Sequence, residues 1–270
     1  MKISCQLCLH NCALEENQTG LCLARGNVNN EIVCLNYGRV TSLALDPIEK
    51  KPLYRFFPGM KILSVGSFGC NMKCGFCQNY GISMVGSDCE HVYISPEELV
   101  QKSDELVSQK NIGIAFTYNE PLIGYEYVVD VARINKLKTV LVTNGLINEK
   151  PLMELLPYID AMNIDLKCFS SGFYEKLKGD FEMVKRTIEL SVQQCHVEVT
   201  TLIIPGENDS VEEITQLCKW LGSVNKDIPL HLSRFFPRYR YSGGSTEVSK
   251  IYELCNIAKE FLNYVYAGNV

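Results

Sequence analysis

The feature that most constrains this chain is a regular alternation of short β-rich runs with helical stretches from residue 62 onward. The β-rich runs lie at Ile62–Phe68, Ile112–Thr117, Thr139–Thr143, Ala161–Leu166, Val197–Ile204, Leu230–Phe235 and Tyr264–Tyr266. Strands that alternate with helices favour parallel βα units, and this many units suit a barrel better than a small open sheet. We therefore predict an α/β fold built as a partial TIM barrel of the (β/α)6 type.

Two of the intervening stretches begin with helix-capping patterns. Ser95 precedes Pro96 and is followed by Glu98 at the spacing of a capping box, and Ser210 with Glu213 repeats that spacing. A serine at this position accepts a hydrogen bond from the third helical N–H, and the glutamate carboxylate accepts one from the serine N–H. Both patterns support helices between the predicted strands.

The stretch 1–59 differs from the rest of the chain because it is rich in cysteine and has no such alternation. Runs at Glu31–Leu35 and Arg39–Leu45 predict two strands joined by a short turn. We predict a Cys-rich N-terminal segment with a metal site over 1–59 and the partial barrel over 60–270.

Charge and hydropathy narrow the classes of partner. The formal net charge is −5 and no Lys/Arg stripe is present, which argues against nucleic acid as the main partner. Residues 1–5 contain no apolar stretch of the signal-peptide kind, and no apolar run is long enough to span a membrane. We therefore expect a cytoplasmic protein with reduced cysteines and no membrane partner.

Three of the 13 cysteines follow the first predicted barrel strand directly, as Cys70, Cys74 and Cys77. Three thiolates at this spacing can hold one cubane [4Fe–4S] cluster, and they leave one iron open to bind a cofactor or substrate. The alternatives are a zinc knuckle without its fourth ligand, or chance. The placement on one loop after a strand, with Phe76 before the last cysteine, favours the cluster.

The cysteine motif with Phe76 resembles the signature of the radical S-adenosylmethionine (SAM) superfamily, and Gly69–Asn79 resembles its pyruvate formate-lyase activating enzyme branch. Asp46–Leu53, Tyr118–Pro121 and Phe236–Tyr239 resemble the radical SAM enzymes of the AmmeMemoRadiSam system. The resemblance covers nearly the whole chain. It implies a barrel of the radical SAM kind, a [4Fe–4S] cluster and SAM as cofactor.

The resemblance places Tyr118–Pro121 on the Gly-Gly-Glu-Pro segment of the superfamily, which binds the amino group of SAM. It therefore implies that Asn119 and Glu120 bind the cofactor. Tyr118 and Asn119 stand where the general pattern has two glycines. The alternative is that Asn119 or Glu120 caps a helix that Pro121 opens.

Two later strand ends carry further candidates. Thr143 and Asn144 lie where activating enzymes often have Asp-Thr-Asn-Gly, with Val142 in place of the aspartate. The alternative is a plain turn. Asp165 and Lys167 match the Asp-x-Lys pair of the activating enzymes, and the resemblance implies contacts to SAM or to a nearby cation. The alternative is an ion pair at a strand end.

The N-terminal segment has its own group of four thiols, Cys5, Cys8, Cys12 and Cys22. Four thiolates suit either a tetrahedral zinc ion or a second iron–sulfur cluster, and their spacing does not decide between the two. We predict a metal site here, of a structural or an electron-relay type.

Taken together, the resemblance implies an oxygen-sensitive radical SAM oxidoreductase of the EC 1.97.1.- type, which works anaerobically. Reduced ferredoxin or flavodoxin would supply one electron, SAM would be cleaved to a 5′-deoxyadenosyl radical, and the radical would abstract hydrogen from a substrate. That substrate would be a glycine in a partner protein, as for glycyl-radical activases, or another side chain or small molecule. The rival hypothesis is a non-catalytic zinc or iron–sulfur adaptor protein, which needs no SAM.

Overall fold

The computed structural model describes residues 2–270, and its centre is one eight-stranded sheet. The strands of these residues, in chain order, are β1 (Ile3–Ser4), β2 (Ala13–Leu14), β3 (Arg25–Val28), β4 (Glu31–Cys34), β5 (Arg39–Val40), β6 (Ser42–Pro47), β7 (Lys61–Gly66), β8 (Val92–Tyr93), β9 (Asn111–Phe116), β10 (Lys138–Thr143), β11 (Ala161–Asp165), β12 (His196–Ile203), β13 (Leu230–Arg234) and β14 (Val265–Gly268). The helices are α1 (Tyr80–Ser83), α2 (Pro96–Glu105), α3 (Tyr125–Ile134), α4 (Glu149–Leu155), α5 (Ser171–Lys176), α6 (Phe181–Ser191), α7 (Val211–Val224) and α8 (Val248–Ala258), with 3-10 turns at Ile48–Lys50, Val107–Gln109, Pro121–Gly124 and Leu156–Tyr158.

The central sheet runs in the order β14-β13-β12-β11-β10-β9-β7-β6. Every neighbouring pair from β7 to β14 is parallel, whereas β6 is antiparallel to β7. All the predicted barrel strands are present, each within two residues of its predicted bounds. The prediction of an α/β fold around a parallel sheet is therefore confirmed.

The expected turn between the two predicted N-terminal strands is present at residues 35–38, where Gly38 has a φ of +67°, but the strands on its two sides do not pair with each other. β4 pairs with β3 instead, and the predicted strand at 39–45 is divided between β5 and β6, of which β6 joins the central sheet. The physical reason lies at Asn29 and Asn30, whose φ angles of 53° and 59° form the two-residue turn that matches strand twist. The division of the chain into an N-terminal segment and a barrel at residue 59 stays a prediction. The antiparallel strands β6 and β7, which lie on the two sides of residue 59, are hydrogen-bonded to each other.

The segment after β6 crosses the amino-terminal end of the barrel. Ile48, Leu53 and Phe56 from this segment are buried against apolar side chains near the starts of the strands. Those partners are Ile62, Ile112, Ala115, Val140 and Ala161. Because parallel strands share one direction, this packing closes one end of the barrel and leaves the carboxyl ends of the strands for the site.

The helix caps follow the sequence in part. Ser95 and Glu98 form the predicted capping box of α2. Ser210 accepts from the Glu213 N–H as predicted, but the Glu213 carboxylate accepts from the Phe169 N–H at 2.8 Å instead of returning to the cap. None of the helices between residues 2 and 270 combines the length and the apolar character needed to cross a membrane.

Candidate functional site

Cys70, Cys74 and Cys77 line one cavity of about 290 Å³ at the carboxyl ends of the strands. The Met72 N–H donates to the Cys70 Sγ at 3.3 Å, a contact that favours a thiolate at that position. Among residues 2–270, no three His, Cys, Asp or Glu side chains surround a single metal-ion position. A cubane cluster binds each thiolate through a separate iron, so three thiols on one loop along a shared cavity fit it by donor chemistry.

The loop is held in place through its backbone. The Lys73 N–H donates to the Leu177 carbonyl at 2.8 Å, and the Gly75 carbonyl accepts from the Arg240 N–H at 2.9 Å. Backbone contacts of this kind fix the path of the loop without using the side chains that face the cavity. The thiols are therefore positioned by residues distant in sequence.

Gly69 begins this loop at a position that requires glycine. Its φ is +86°, and a Cβ there would collide with the carbonyl oxygen of Cys22. The Cys70 N–H donates to that same carbonyl at 3.1 Å. The N-terminal cysteine segment is thus packed directly against the predicted cluster loop.

Glu120 is 3% exposed and lines the same cavity as the three cysteines. Its carboxylate accepts from the Thr143 hydroxyl at 2.6 Å, the Asn144 N–H at 2.7 Å and the Leu122 N–H at 3.0 Å. These donors are all neutral. Burial raises the pKa of Glu120 to about 7 although the three hydrogen bonds oppose the rise. A buried carboxylate with only neutral donors is suited to binding a cationic ligand.

Asn119 lies in the cavity wall, but its side chain is used within the protein. Its Oδ1 accepts from the Ser67 N–H at 2.9 Å, and its Nδ2 donates to the carbonyls of Phe68 and Gly69 at 3.1 and 3.2 Å. Because both ends of this amide are engaged, Asn119 ties the end of β7 to the turn that carries Glu120. This arrangement favours a structural role for the Asn119 side chain, and its direct contact with a cofactor stays a prediction.

Asn144 connects the Glu120 turn to the cysteine loop. Its Nδ2 donates to the Asn71 Oδ1 at 2.9 Å and lies 3.6 Å from the Cys70 Sγ. Asn71 in turn donates to the Leu146 carbonyl at 2.8 Å. Thr143 and Asn144 therefore orient Glu120 and the loop, and the alternative of a plain turn does not describe them fully.

Asp165 and Lys167 lie in the cavity wall as an ion pair, with 2.6 Å between the Lys167 Nζ and the Asp165 Oδ2. Burial opposes the charge of Lys167, but the Asp165 carboxylate, joined by Cys74 when that residue is a thiolate, outweighs burial and holds the pKa of Lys167 above the ordinary value. The pair is therefore charged beside the cysteines. Asp165 and Lys167 therefore form an ion pair at a strand end, as one interpretation of the sequence had it, and this pair also lies in the candidate site, as the other had it.

The N-terminal cysteines Cys5, Cys8 and Cys22 are buried, and Cys12 is partly exposed. The Cys5 N–H donates to the Cys12 carbonyl at 2.9 Å. Burial raises the pKa of Cys8 to about 11 and also raises that of Cys22, and neighbouring thiols add to both effects. The segment thus gathers several thiols in one buried region.

A buried arginine lies beside these thiols. Arg25 donates to both carboxylate oxygens of Glu126 at 2.7 Å. Across the described stretch 2–270, the buried Nε–H of Arg25 has no hydrogen-bond partner. On the other side of the segment, the His10 Nε2 lies 2.8 Å from the Asn71 carbonyl, so the N-terminal segment contacts the cluster loop a second time.

Several residues of the cavity wall were not identified from the sequence. They are Met72, Phe76, Gln78, Asn79, Ser83, Met84, Thr117, Tyr118, Thr200, Leu202, Ser233 and Asn269. Thr200 and Ser233 carried a usable signal, because they are small polar residues in the carboxyl-terminal halves of β12 and β13. Asn71, a residue of the cluster loop itself, does not line the cavity and had no comparable signal.

Comparison with known proteins agrees with this geometry. A family model described as the Radical SAM superfamily matches residues 64–219, more than half of the chain. An uncharacterized protein of Methanocaldococcus jannaschii is 38% identical over 100% of this chain and 82% of its own length. A candidate glycyl-radical enzyme activating enzyme of the same organism is 28% identical over 73% of this chain and 85% of its own length.

The fold is also similar to solved structures. A radical SAM methyltransferase from Sphaerobacter thermophilus has a TM-score of 0.61 at 16% identity, with 78% of this chain and 67% of that chain covered. At that level of identity the likeness concerns the fold alone. The predicted barrel of the radical SAM kind is confirmed, and this chain belongs to the radical SAM superfamily.

Proposed function

We propose that this protein binds a [4Fe–4S] cluster through Cys70, Cys74 and Cys77 and binds the amino group of SAM through Glu120. The observation that carries the proposal is the position of the Glu120 carboxylate, buried among neutral donors in the cavity that the three cysteines line. An ammonium group supplies the charge partner that this carboxylate lacks. A cluster with three thiolate ligands leaves one iron open, and that iron is the second point at which SAM would be bound.

A bound cluster with SAM would supply one-electron reductive cleavage of a carbon–sulfur bond and, through it, hydrogen abstraction from a substrate. The residues of this chain orient and shield that chemistry. Thr143 and Asn144 fix the Glu120 carboxylate, and Lys167 with Asp165 offers one positive and one negative group for the polar ends of SAM. Buried Met72 and nearly buried Phe76 line the cavity beside the cysteines and limit its access to water.

For the substrate, we propose a reaction like that of the enzymes that activate glycyl-radical enzymes. Similarity to a candidate glycyl-radical enzyme activating enzyme supports a glycine of a partner protein as the hydrogen donor. Reduced ferredoxin or flavodoxin is the class of electron donor that such a reaction needs. Reduced thiols and an oxygen-sensitive cluster fit an anaerobic cytoplasm. The adaptor hypothesis explains the cysteines but leaves the charged residues around the cavity without a purpose, so the enzyme is favoured.

We also propose that Cys5, Cys8, Cys12 and Cys22 hold a second metal centre, which is either an iron–sulfur cluster, whose irons bind the thiolates at separate positions, or a zinc ion on which the thiols converge when it binds. Its support is the burial of three of these thiols next to a guanidinium whose Nε–H has no partner, because such a donor can stabilise thiolate or sulfide charge. Metal analysis of anaerobically purified Cys8→Ala and Cys22→Ala proteins tests this. Loss of zinc, or of the iron beyond one cluster, is expected; unchanged metal content would contradict the site.

The test of the main proposal is product formation. The protein is purified without oxygen, reconstituted with iron and sulfide, and mixed with SAM and dithionite, and 5′-deoxyadenosine is quantified by chromatography. Product is expected from the native chain and from Cys255→Ala, which removes a buried thiol of α8, and not from Cys74→Ala. Equal product from the native and Cys74→Ala proteins would contradict the assignment.

A further inference from the structure

Tyr118 has a backbone conformation that non-glycine residues rarely adopt. Its φ is +72°, in the left-handed region, where an L side chain is strained. The next two residues are Asn119 and Glu120, so this turn sets the direction of the chain into the SAM-binding carboxylate. The Tyr118 carbonyl accepts from the Asn79 Nδ2 at 2.8 Å, which joins the turn to the cluster loop.

The Tyr118 side chain is held by two residues that precede the barrel strands. Its hydroxyl donates to the Asp46 Oδ2 at 2.6 Å, and the Lys51 Nζ lies 2.9 Å from the same oxygen. The Lys51 ammonium also lies 4.5 Å from the centre of the Tyr118 ring. Lys51 is 3% exposed, so this ion pair is desolvated and tightly held.

The protonation states agree with this geometry. Burial opposes ionisation of Asp46, but hydrogen bonds from Tyr118 and Lys51 outweigh burial and hold its pKa below the ordinary value. Burial, with the Asp46 carboxylate adding to it, raises the pKa of Tyr118 to about 12. The hydroxyl therefore remains a donor and the carboxylate remains an acceptor at neutral pH.

We propose that Tyr118 is a positioning residue whose bond to Asp46, braced by Lys51, holds the turn in the left-handed conformation that aims Glu120 at the SAM ammonium. This inference rests on the proposed function, in which Glu120 binds SAM. It gives the segment before the barrel a role in cofactor binding, because Asp46 is the last but one residue of β6 and Lys51 follows it on the segment that closes the barrel.

The first test is the dissociation constant of SAM in cluster-loaded Tyr118→Phe. The phenylalanine keeps the ring and removes only the hydroxyl bond to Asp46, so SAM should bind about tenfold more weakly. Tyr37→Phe is the matched control, because the Tyr37 hydroxyl donates to the Asp130 Oδ2 at 2.7 Å away from the cavity. It should bind SAM as the native protein does.

A second variant separates positioning from packing. Glycine adopts a positive φ without strain, so Tyr118→Gly should bind SAM more tightly than Tyr118→Phe although it loses the whole ring. If the ring acted by packing alone, the order of the two variants would be reversed. Asp46→Ala combined with Tyr118→Phe should weaken binding no more than Asp46→Ala alone does, since the Tyr118 hydroxyl has then already lost its acceptor.

Each outcome decides the inference. Native SAM affinity in Tyr118→Phe, or weaker binding by Tyr118→Gly than by Tyr118→Phe, would overturn it, provided that iron content and near-ultraviolet circular dichroism match the native protein. Glu120→Gln separates the two proposals. If Glu120→Gln loses SAM while Tyr118→Phe does not, only the positioning role fails. If Glu120→Gln binds SAM normally, the proposed function fails and the inference fails with it.

Discussion

The two ends of the barrel each bury a glutamate, and the two glutamates are surrounded in opposite ways. Glu120, at the carboxyl ends of the strands, accepts only from neutral donors, and burial raises its pKa to about 7. Glu198 lies at the closed end and accepts from Tyr54 and Arg55 N–H groups at 3.0 and 2.7 Å. It also accepts from two histidines.

The two histidines account for the opposite pKa shifts of Glu198 and Glu120. The Nε2 atoms of His196 and His231 lie 2.9 and 2.6 Å from the Glu198 carboxylate, which as an ionised group can only accept. Burial opposes ionisation of Glu198, but the histidine hydrogen bonds outweigh burial and lower its pKa to about 2. The satisfied glutamate fixes the segment that closes the barrel, whereas Glu120 has no charged partner and is the residue that we propose for the SAM amino group.

The largest effect is expected at the closed end. Glu198→Ala leaves two N–H groups and two histidines without their acceptor, so the free energy of unfolding should fall by about 4 kcal/mol. Chemical unfolding of the anaerobic protein measures this loss. A fall below about 1 kcal/mol would show that Glu198 does not fix the barrel end.

The next effect concerns the open end. Glu120→Gln keeps the shape and removes the charge, so the SAM dissociation constant should rise between about tenfold and a hundredfold while unfolding changes little. Equilibrium binding under anaerobic conditions measures it, with Glu198→Gln as the matched change of a buried glutamate. Equal SAM affinities for the two variants would remove the distinction between the two ends.

A third effect is the pH dependence of stability. The pKa of Glu198 is lowered from 4.5 to about 2, so its stabilisation is complete above the unfolded value and is lost as pH falls through that window. Between pH 6 and pH 4 the native protein should lose about 1 kcal/mol more than Glu198→Gln does. If the free energies of unfolding of the two proteins change by the same amount between pH 6 and pH 4, the lowered pKa of Glu198 is contradicted.

The smallest effect belongs to an exposed carboxylate. Glu149 lies 2.8 Å from Arg186, and both side chains are more than half exposed. Because water screens such a pair, Arg186→Ala should change the free energy of unfolding by less than about 1 kcal/mol. A loss as large as that of Glu198→Ala would show that burial is not what distinguishes these glutamates.

The sequence predicted the barrel strands because they are short apolar runs between helical stretches, a local pattern. It also predicted the cysteine loop, because the three thiols lie within eight residues of one another. Glu120 and Lys167 were identified through the resemblance of their segments to superfamily motifs, and both follow strands whose carboxyl ends a parallel sheet brings to one edge.

Contacts between distant segments had no local signal. Two of the four partners of Glu198 come from residues 54–55, far earlier in the chain, and a glutamate within a strand does not indicate them. The contacts of Tyr118 with Asp46 and Lys51 also join segments that are far apart in the sequence. The antiparallel β6 was missed as part of the central sheet because the alternation of strands and helices starts only after it.

Electron paramagnetic resonance of the reduced cluster, recorded with and without SAM, tests the central claim most directly. The account predicts that SAM changes the signal of the native protein and of Glu198→Gln, and that at the same SAM concentration it leaves Glu120→Gln largely unchanged. A native cluster whose signal does not respond to saturating SAM would contradict the assignment of this cavity as the cofactor site.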